Sequence, residues 1–299
     1  MSNYFNTDFL SRHSQRRRDK NYINSVYKDA KTLFIPIFND SNLFNDEQPN
    51  MLSYQQIKNL EDIISFSVFL GENSNNTYFS ISLTGDNNIV SKRLSKFGTF
   101  QSLRKQASIL DEETAGLLAF ARAMDYWHRQ NLYCGNCGDE TDIIEAGFSR
   151  KCSNTECQRT FFPRIDPAVI VLVTNDDSCL LGRHSSWQKG LYAVIAGFAE
   201  PGERLESAVK RGVEEETGIR VKNIKYHSSQ PWPFPCSLMI AFTATAENTE
   251  IDNDEDELDD VRWFSRDELK KKLADNQITI ASKMSIAYSL ISEWMEQTD

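Results

Sequence analysis

The stretch GFAEPGERLESAVKRGVEEETGI, Gly197 to Ile219, decides the fold. Gly197 and Gly202 permit tight backbone turns beside a ligand, and Arg204 to Thr217 reads as one helix closed by Gly218 as its C-cap. On such a helix, positions 212, 215 and 216 stand at i, i+3 and i+4 and share one face. Two of them are Glu215 and Glu216, whose carboxylates can converge on Mg2+ or Mn2+, hard cations that take carboxylate and phosphate oxygens together. A solvated, glutamate-rich helical face is the plainer alternative. The glycines, Glu203, Arg211, Glu215, Glu216, Gly218 and Ile219 together stand at spacings that favour a loop, helix and loop able to hold a metal ion.

That spacing resembles the Nudix box, glycine-x5-Glu-x7-Arg-Glu-aliphatic-x-Glu-Glu-x-Gly-aliphatic. It agrees at every fixed position except 212, where glycine stands for glutamate. Downstream, SQPWPFPCS from Ser229 to Ser237 carries three prolines and two aromatics, so it cannot be helical. It reads as an ordinary proline-rich loop or as a stiff apolar wall. At this distance from such a box it resembles the signature of the NADH pyrophosphatase family. The resemblance runs through nearly the whole chain, including Leu10 to Ile23 as an opening motif and Phe100 to Cys137 as a helical approach to a cysteine cluster.

That cluster is Cys134-Gly-Asn-Cys137 and Cys152-x4-Cys157, two pairs separated by fourteen residues. The spacing is that of a zinc ribbon, with disulfides as the competing reading. A missing signal peptide and two further, isolated cysteines, Cys179 and Cys236, favour zinc. Four thiolates leave no open coordination position, so this metal is expected to be structural.

Composition bounds the rest. The 299 residues carry a formal net charge of −10 and 40% hydrophobic content, with no apolar run long enough for a bilayer. The sequence therefore reads as a soluble, cytoplasmic chain of about two domains, and its acidity argues against a general polyanion binder. A phosphorylated ligand stays open, because bound metal inverts the local field. The run Arg16, Arg17, Arg18 and Lys20 reads as a solvated surface or inter-domain contact, against a nucleic-acid patch or transit peptide.

A pass along the chain predicts short strands between Tyr54 and Leu83 and a helix over Ile109 to Gln130. It further predicts a hairpin of AVIVLVT (168–174) and SCLLGRH (178–184), strands at AVIAGF and SLMIAFTATAE, and VRWFSRDEL entering a helix. A closing amphipathic helix is expected over Ser282 to Met295. The fold class is α+β: a small β-rich N-terminal domain (1–130), a zinc ribbon (131–162), and a C-terminal Nudix α/β/α sandwich with a mixed sheet (163–299).

The resemblance implies hydrolysis of the diphosphate bond of NADH or NAD+ to (reduced) nicotinamide mononucleotide and AMP, or removal of NAD caps from RNA. It implies Glu216 and Glu257 as direct Mg2+ or Mn2+ ligands, Glu215 as a direct or water-mediated one, and the carbonyl of Ala196 as a further donor. Arg211 and Glu203 would support these carboxylates. The substrate would meet Phe162, Ile170, Phe198, Gln230, Pro231, Trp232, Pro233, Phe234, Pro235, Cys236, Ser237, Met239 and Ala287, although each apolar member also suits a core. A homodimer in which the Pro-Trp loop helps build the partner's site is implied as well. Gly212 opens a second reading, a catalytically weakened dinucleotide binder. Glycine offers no carboxylate and costs about 1 kcal/mol in a helix interior, and Glu214 lies about 200° away around the helix.

Overall fold

The computed structural model describes residues 4–252 and 258–297, and the chain divides into two compact units. One contains Phe5–Ile165 together with Trp232–Cys236; the other contains the N-terminal residues to Tyr4, Asp166–Pro231 and the chain from Ser237 onward.

The unit built on Phe5–Ile165 begins with helix α1 (Lys20–Tyr27), whose first N–H groups donate to the Asp19 carboxylate. A seven-stranded sheet follows: β1 (Thr32–Phe38), β2 (Ser41–Asn45), β3 (Gln48–Pro49), β4 (Leu52–Ser53), β5 (Ile64–Glu72), β6 (Thr77–Leu83) and β7 (Thr99–Gln101). The main path runs β3-β2-β1-β6-β5, with β1 and β6 parallel and both almost wholly buried. Phe34, Phe69 and Phe79 fill one side of it. The region expected to hold only strands starts differently. Ser53 and Gln56 form a capping box, so Tyr54–Ile57 is a helical turn (α2) that continues as 3-10 helix to Ile63.

After the short helices α3 (Asn87–Leu94) and α4 (Leu103–Gln106) comes α5 (Glu112–Gln130), capped by Asp111. It buries Leu117, Leu118, Ala121, Met124 and Trp127, while Ile109, counted into this helix from the sequence, lies before it and is exposed. The arginine run is engaged inside this unit: Arg16 stacks on Tyr22, Arg17 on Phe148, and Arg18 pairs with Glu145 at 2.6 Å. Strands β8 (Thr141–Ile144), β9 (Ser149–Cys152) and β10 (Thr160–Phe161) form a separate three-stranded sheet. Arg150 of β9 reaches α5, donating to Nδ1 of buried His128, whose Nε2–H donates to the Gly147 carbonyl. Burial holds that imidazole neutral, down to about 4.

The second unit explains the run AVIVLVT. β11 (Asp166–Asn175) turns through left-handed Asp176 into β12 (Ser178–His184), as the sequence predicts. The remaining strands are β13 (Leu191–Tyr192), β14 (Ile195–Phe198), β15 (Val221–Trp232), β16 (Ser237–Ala246), β17 (Leu258–Ser265) and β18 (Thr279–Ile280). The main sheet is ordered β15-β16-β11-β12-β17, with β14 also on β11; β11 and β16 are parallel, the other β11 partners antiparallel. Alternate residues of a strand face opposite sides. Val169, Val171 and Val173 accordingly pack with Ala208, Val209 and Val213 of helix α6 (Leu205–Thr217). Ile170 and Leu172 pack instead with α7 (Arg266–Ala274) and α8 (Ile286–Glu296) through Leu269, Ile286, Leu290 and Trp294. A mixed sheet covered by helices on both faces requires such a continuous apolar strand. Among the described residues, no helix is long and apolar enough to cross a membrane.

Candidate metal and diphosphate site

Helix α6 starts after Arg204, which makes no side-chain cap, and ends at Gly218 with φ 68°. The Gly218 N–H donates to the Glu214 carbonyl at 2.8 Å, and a Cβ at 218 would come within 2.9 Å of Cβ of Asp252. Gly202 has φ 92° and makes the turn expected of it. Gly197 does not turn. It lies inside β14, opposite Val169, in ordinary extended backbone, and a Cβ there would point at Oε1 of Glu216 from 3.8 Å. At that distance a Cβ would make only an ordinary van der Waals contact.

Arg211 organises the acidic groups. Its Nε and Nη2 donate to the two oxygens of Glu203 at 2.7 and 3.0 Å, Nη1 donates to Glu215 Oε2 at 2.9 Å, and Nη2 also donates to the Phe198 carbonyl at 3.0 Å. Glu203 accepts in addition from the Glu200 N–H at 3.0 Å. The fork therefore joins the loop before α6, the helix itself and the end of β14. The Phe198 carbonyl was not legible in the sequence, since a main-chain acceptor leaves no residue-type signal. The Arg211 guanidinium, helped by the Glu200 N–H, draws the Glu203 carboxyl down to about 2, and the Arg211 charge is stabilised in turn.

A pH prediction follows from this pair. The folded value lies below the ordinary 4.5, so the pair's stabilisation is complete above 4.5 and fades as pH falls towards 2. Carboxyl carbon NMR of Glu203 is expected to titrate near 2, and Arg211→Met should return it towards 4.5. A Glu203 titration unmoved by that substitution would contradict the assignment.

Glu215 is exposed, Glu216 half-buried, and Glu214 exposed on another face of the helix. Gly212 is buried in regular helix, and a Cβ there would meet only Glu216 Oε1, at 3.9 Å. Neither backbone conformation nor crowding demands glycine. Ala196 is exposed in β14 opposite Ile170. Carboxylate and carbonyl oxygens are the donors a hard divalent cation takes, so Glu215, Glu216 and Ala196 fit one chemically. Glu257 lies outside the described residues.

The cysteines form a closed group. The Sγ atoms of Cys134, Cys137, Cys152 and Cys157 lie within 4.8 Å of one another; Cys134 and Cys157 are 3.8 Å apart, Cys137 and Cys152 3.4 Å. Tetrahedral zinc with bonds of about 2.3 Å places its sulfurs about 3.8 Å apart, whereas a disulfide needs about 2.05 Å. These four cysteines are free thiols in a geometry that fits a structural metal. Cys179 is apart from them and fully buried, its thiol pushed up to about 12.

The residues named for the substrate differ in burial and partners. Phe162 and Phe198 are strongly exposed; Ile170 and Ala287 lie in the core, and Met239 packs against it. Gln230 is buried, its amide donating to the Met284 carbonyl at 2.7 Å and accepting from the Ile286 N–H at 2.8 Å, which holds the start of α8. Ser237 opens β16 opposite Asp166. Pro231 and Pro235 are exposed, Pro233 is buried, and Cys236 is half-buried. Trp232 and Phe234 meet edge-on at 5.3 Å, and Phe5 stands edge-on to both.

Comparison with known proteins agrees with this architecture. The NUDIX domain family matches residues 164–283, and a family described as the NADH pyrophosphatase-like rudimentary NUDIX domain matches 31–127. The NAD-capped RNA hydrolase of Schizosaccharomyces pombe is 32% identical over 97% of this chain and 92% of that protein. NAD-capped RNA hydrolase NUDT12 of Homo sapiens is 40% identical over 62% of this chain, and the mitochondrial NAD(P)H pyrophosphatase NUDT13 of Homo sapiens is 38% identical over 67%. The chain spans about half the length of several relatives, the match covering 43% of human NUDT12 and 55% of Nudix hydrolase 19 of Arabidopsis thaliana. With the box on α6, the thiol cluster and a relative aligned almost end to end, the chain belongs to the NADH pyrophosphatase family of Nudix hydrolases.

Proposed function

We propose that the chain hydrolyses the diphosphate bond of NADH and NAD+, releasing (reduced) nicotinamide mononucleotide and AMP, and removes NAD caps from RNA by the same bond chemistry. The observation that carries this reading is the Arg211 fork, which ties Glu203, Glu215 and the Phe198 carbonyl together beside Glu216. The relatives' names support the substrate class. Water adds to one phosphorus, the bridging P–O bond breaks, and the departing phosphate oxygen takes the electron pair. Bound Mg2+ or Mn2+ would neutralise phosphate charge and acidify water. Glu216, Glu215, the Ala196 carbonyl and Glu257 are proposed to hold that ion. Arg211 orients Glu215, with Glu203 buttressing Arg211. Zinc is proposed for the four cysteines. A cytoplasmic location suits the free thiols and the substrate.

Glu216→Gln preserves shape and removes the charge. It is expected to lower turnover of both NADH and NAD-capped RNA by about 10² or more and to weaken Mn2+ binding. Equal product formation by the variant would sink the assignment; cleavage of NADH with capped RNA left intact would confine it to the free dinucleotide. A homodimer completes the reading, and light scattering at micromolar concentration is expected to give twice the monomer mass of 34.3 kDa.

A second reading is favoured by Gly212. A dinucleotide-binding protein with little turnover would keep the same pocket and lack one carboxylate.

A further inference from the structure

We propose that Arg122 of α5 is a positioning residue that sets the presentation of the segment Trp232–Cys236, with Asp40 and Phe5 as its supports. The inference rests on the proposed role of this segment against the dinucleotide.

The segment cannot shape itself. Prolines at 231, 233 and 235 carry no N–H, and the N–H of Phe234 turns back onto the Trp232 carbonyl at 2.8 Å. A carbonyl in such a stretch needs a donor from elsewhere. For Pro233 the donor is Nη1 of Arg122. The same guanidinium sits 5.1 Å from the ring centre of Phe234, and its Nε donates to the Asp40 carbonyl at 3.3 Å. The Asp40 carboxylate lies 3.5 Å from Arg122 Nη2 and accepts from Arg129 Nη2 at 2.6 Å, while Arg129 is itself fixed by Asp125 at 2.8 Å.

Arg122 is only 12% exposed, so its contacts are made largely out of water. A planar fork can serve a carbonyl, a carboxylate and an aromatic face together, which lysine does poorly. Phe5, buried to 2%, completes the cradle at 5.9 Å from Trp232 and 5.7 Å from Phe234. A segment held this way has less freedom to lose when a ligand arrives. Arg122 therefore acts on affinity and leaves the chemical step alone.

The test uses the full chain and reads two quantities without divalent ions, where NADH is not turned over: the NADH dissociation constant, and the 19F resonance of 5-fluorotryptophan at Trp232, assigned with Trp232→Phe; kcat is read separately with Mn2+. Arg122→Met is expected to weaken NADH binding about tenfold with kcat within about twofold, and to shift the Trp232 signal. Arg122→Lys should recover part of both. An unchanged 19F signal and dissociation constant in Arg122→Met would overturn the proposal. Should that variant fail to fold, Asp40→Asn at a half-exposed turn reads the same two quantities, and no change in either overturns it equally. If Trp232→Ala leaves NADH binding intact, the segment's role at the ligand fails; if it weakens binding while Arg122→Met does not, the positioning role alone fails.

Discussion

Gly212→Glu is expected to raise NADH hydrolysis by a factor on the order of 10²–10⁴, the range a positioned acid–base group contributes. The first atom of a side chain is tolerated there: a Cβ at 212 meets only Glu216 Oε1, at 3.9 Å, in unstrained helix. Leaving glycine should also stabilise α6 by about 1 kcal/mol. In the absence of divalent ions, a new carboxylate four residues before Glu216 repels it and offsets part of that gain. Thermal melts of Gly212→Glu should therefore respond more strongly to Mn2+ than those of the native chain. Gly212→Ala separates the effects, since it stabilises the helix and adds no carboxylate. Product formation from NADH with Mn2+, compared across the three proteins, decides between the two functional readings. Near-equal rates for the native chain and Gly212→Glu would mean that catalysis needs no carboxylate at 212. A native chain that binds NADH without cleaving it, with turnover in Gly212→Glu alone, would make it a disabled hydrolase.

Removing the zinc proposed for the cysteine cluster is expected to unfold the three-stranded ribbon. Structural zinc binds small peptides with an apparent free energy of about 10–16 kcal/mol, as large as the whole stability of an ordinary domain, about 5–15 kcal/mol. The ribbon strands have two to four residues each and little core of their own. Cys152→Ser should abolish zinc retention in native mass spectrometry and deprotect residues 131–162 in hydrogen exchange. The change should reach His128, because Arg150, two residues before Cys152, holds its imidazole. Cys236→Ser, outside the cluster, should leave the zinc in place. Retention of zinc by Cys152→Ser would refute a four-thiolate site.

The Nudix unit was legible because its signals are local. A seven-residue apolar run flags a strand covered on both faces, and a capped helix with carboxylates at fixed spacing flags the box. Other elements were hidden for equally physical reasons. β1 contains Pro36, which argues against a strand in sequence, yet it pairs in parallel with β6 over six residues. Gly197 suggests a turn because glycine usually marks one, whereas it lies in extended strand opposite Val169. The resemblance places Trp232 among the residues the substrate would meet, but the arginine that seats its neighbour lies 111 residues away and bonds a main-chain oxygen. No pattern in one sequence encodes such a pairing.

Phe5 finds two aromatic neighbours near residue 233, Trp232 and Phe234. At translation rates of about 5–20 residues per second, this side chain spends roughly 10–50 s on the ribosome before they exist. The unit built on Phe5–Ile165 is thus incomplete until Trp232–Cys236 has been made, and Phe5 lacks two of its ring contacts in the interval. Chaperone occupancy of ribosome-bound chains should persist past residue 165 and fall once the Trp232–Cys236 segment has left the exit tunnel.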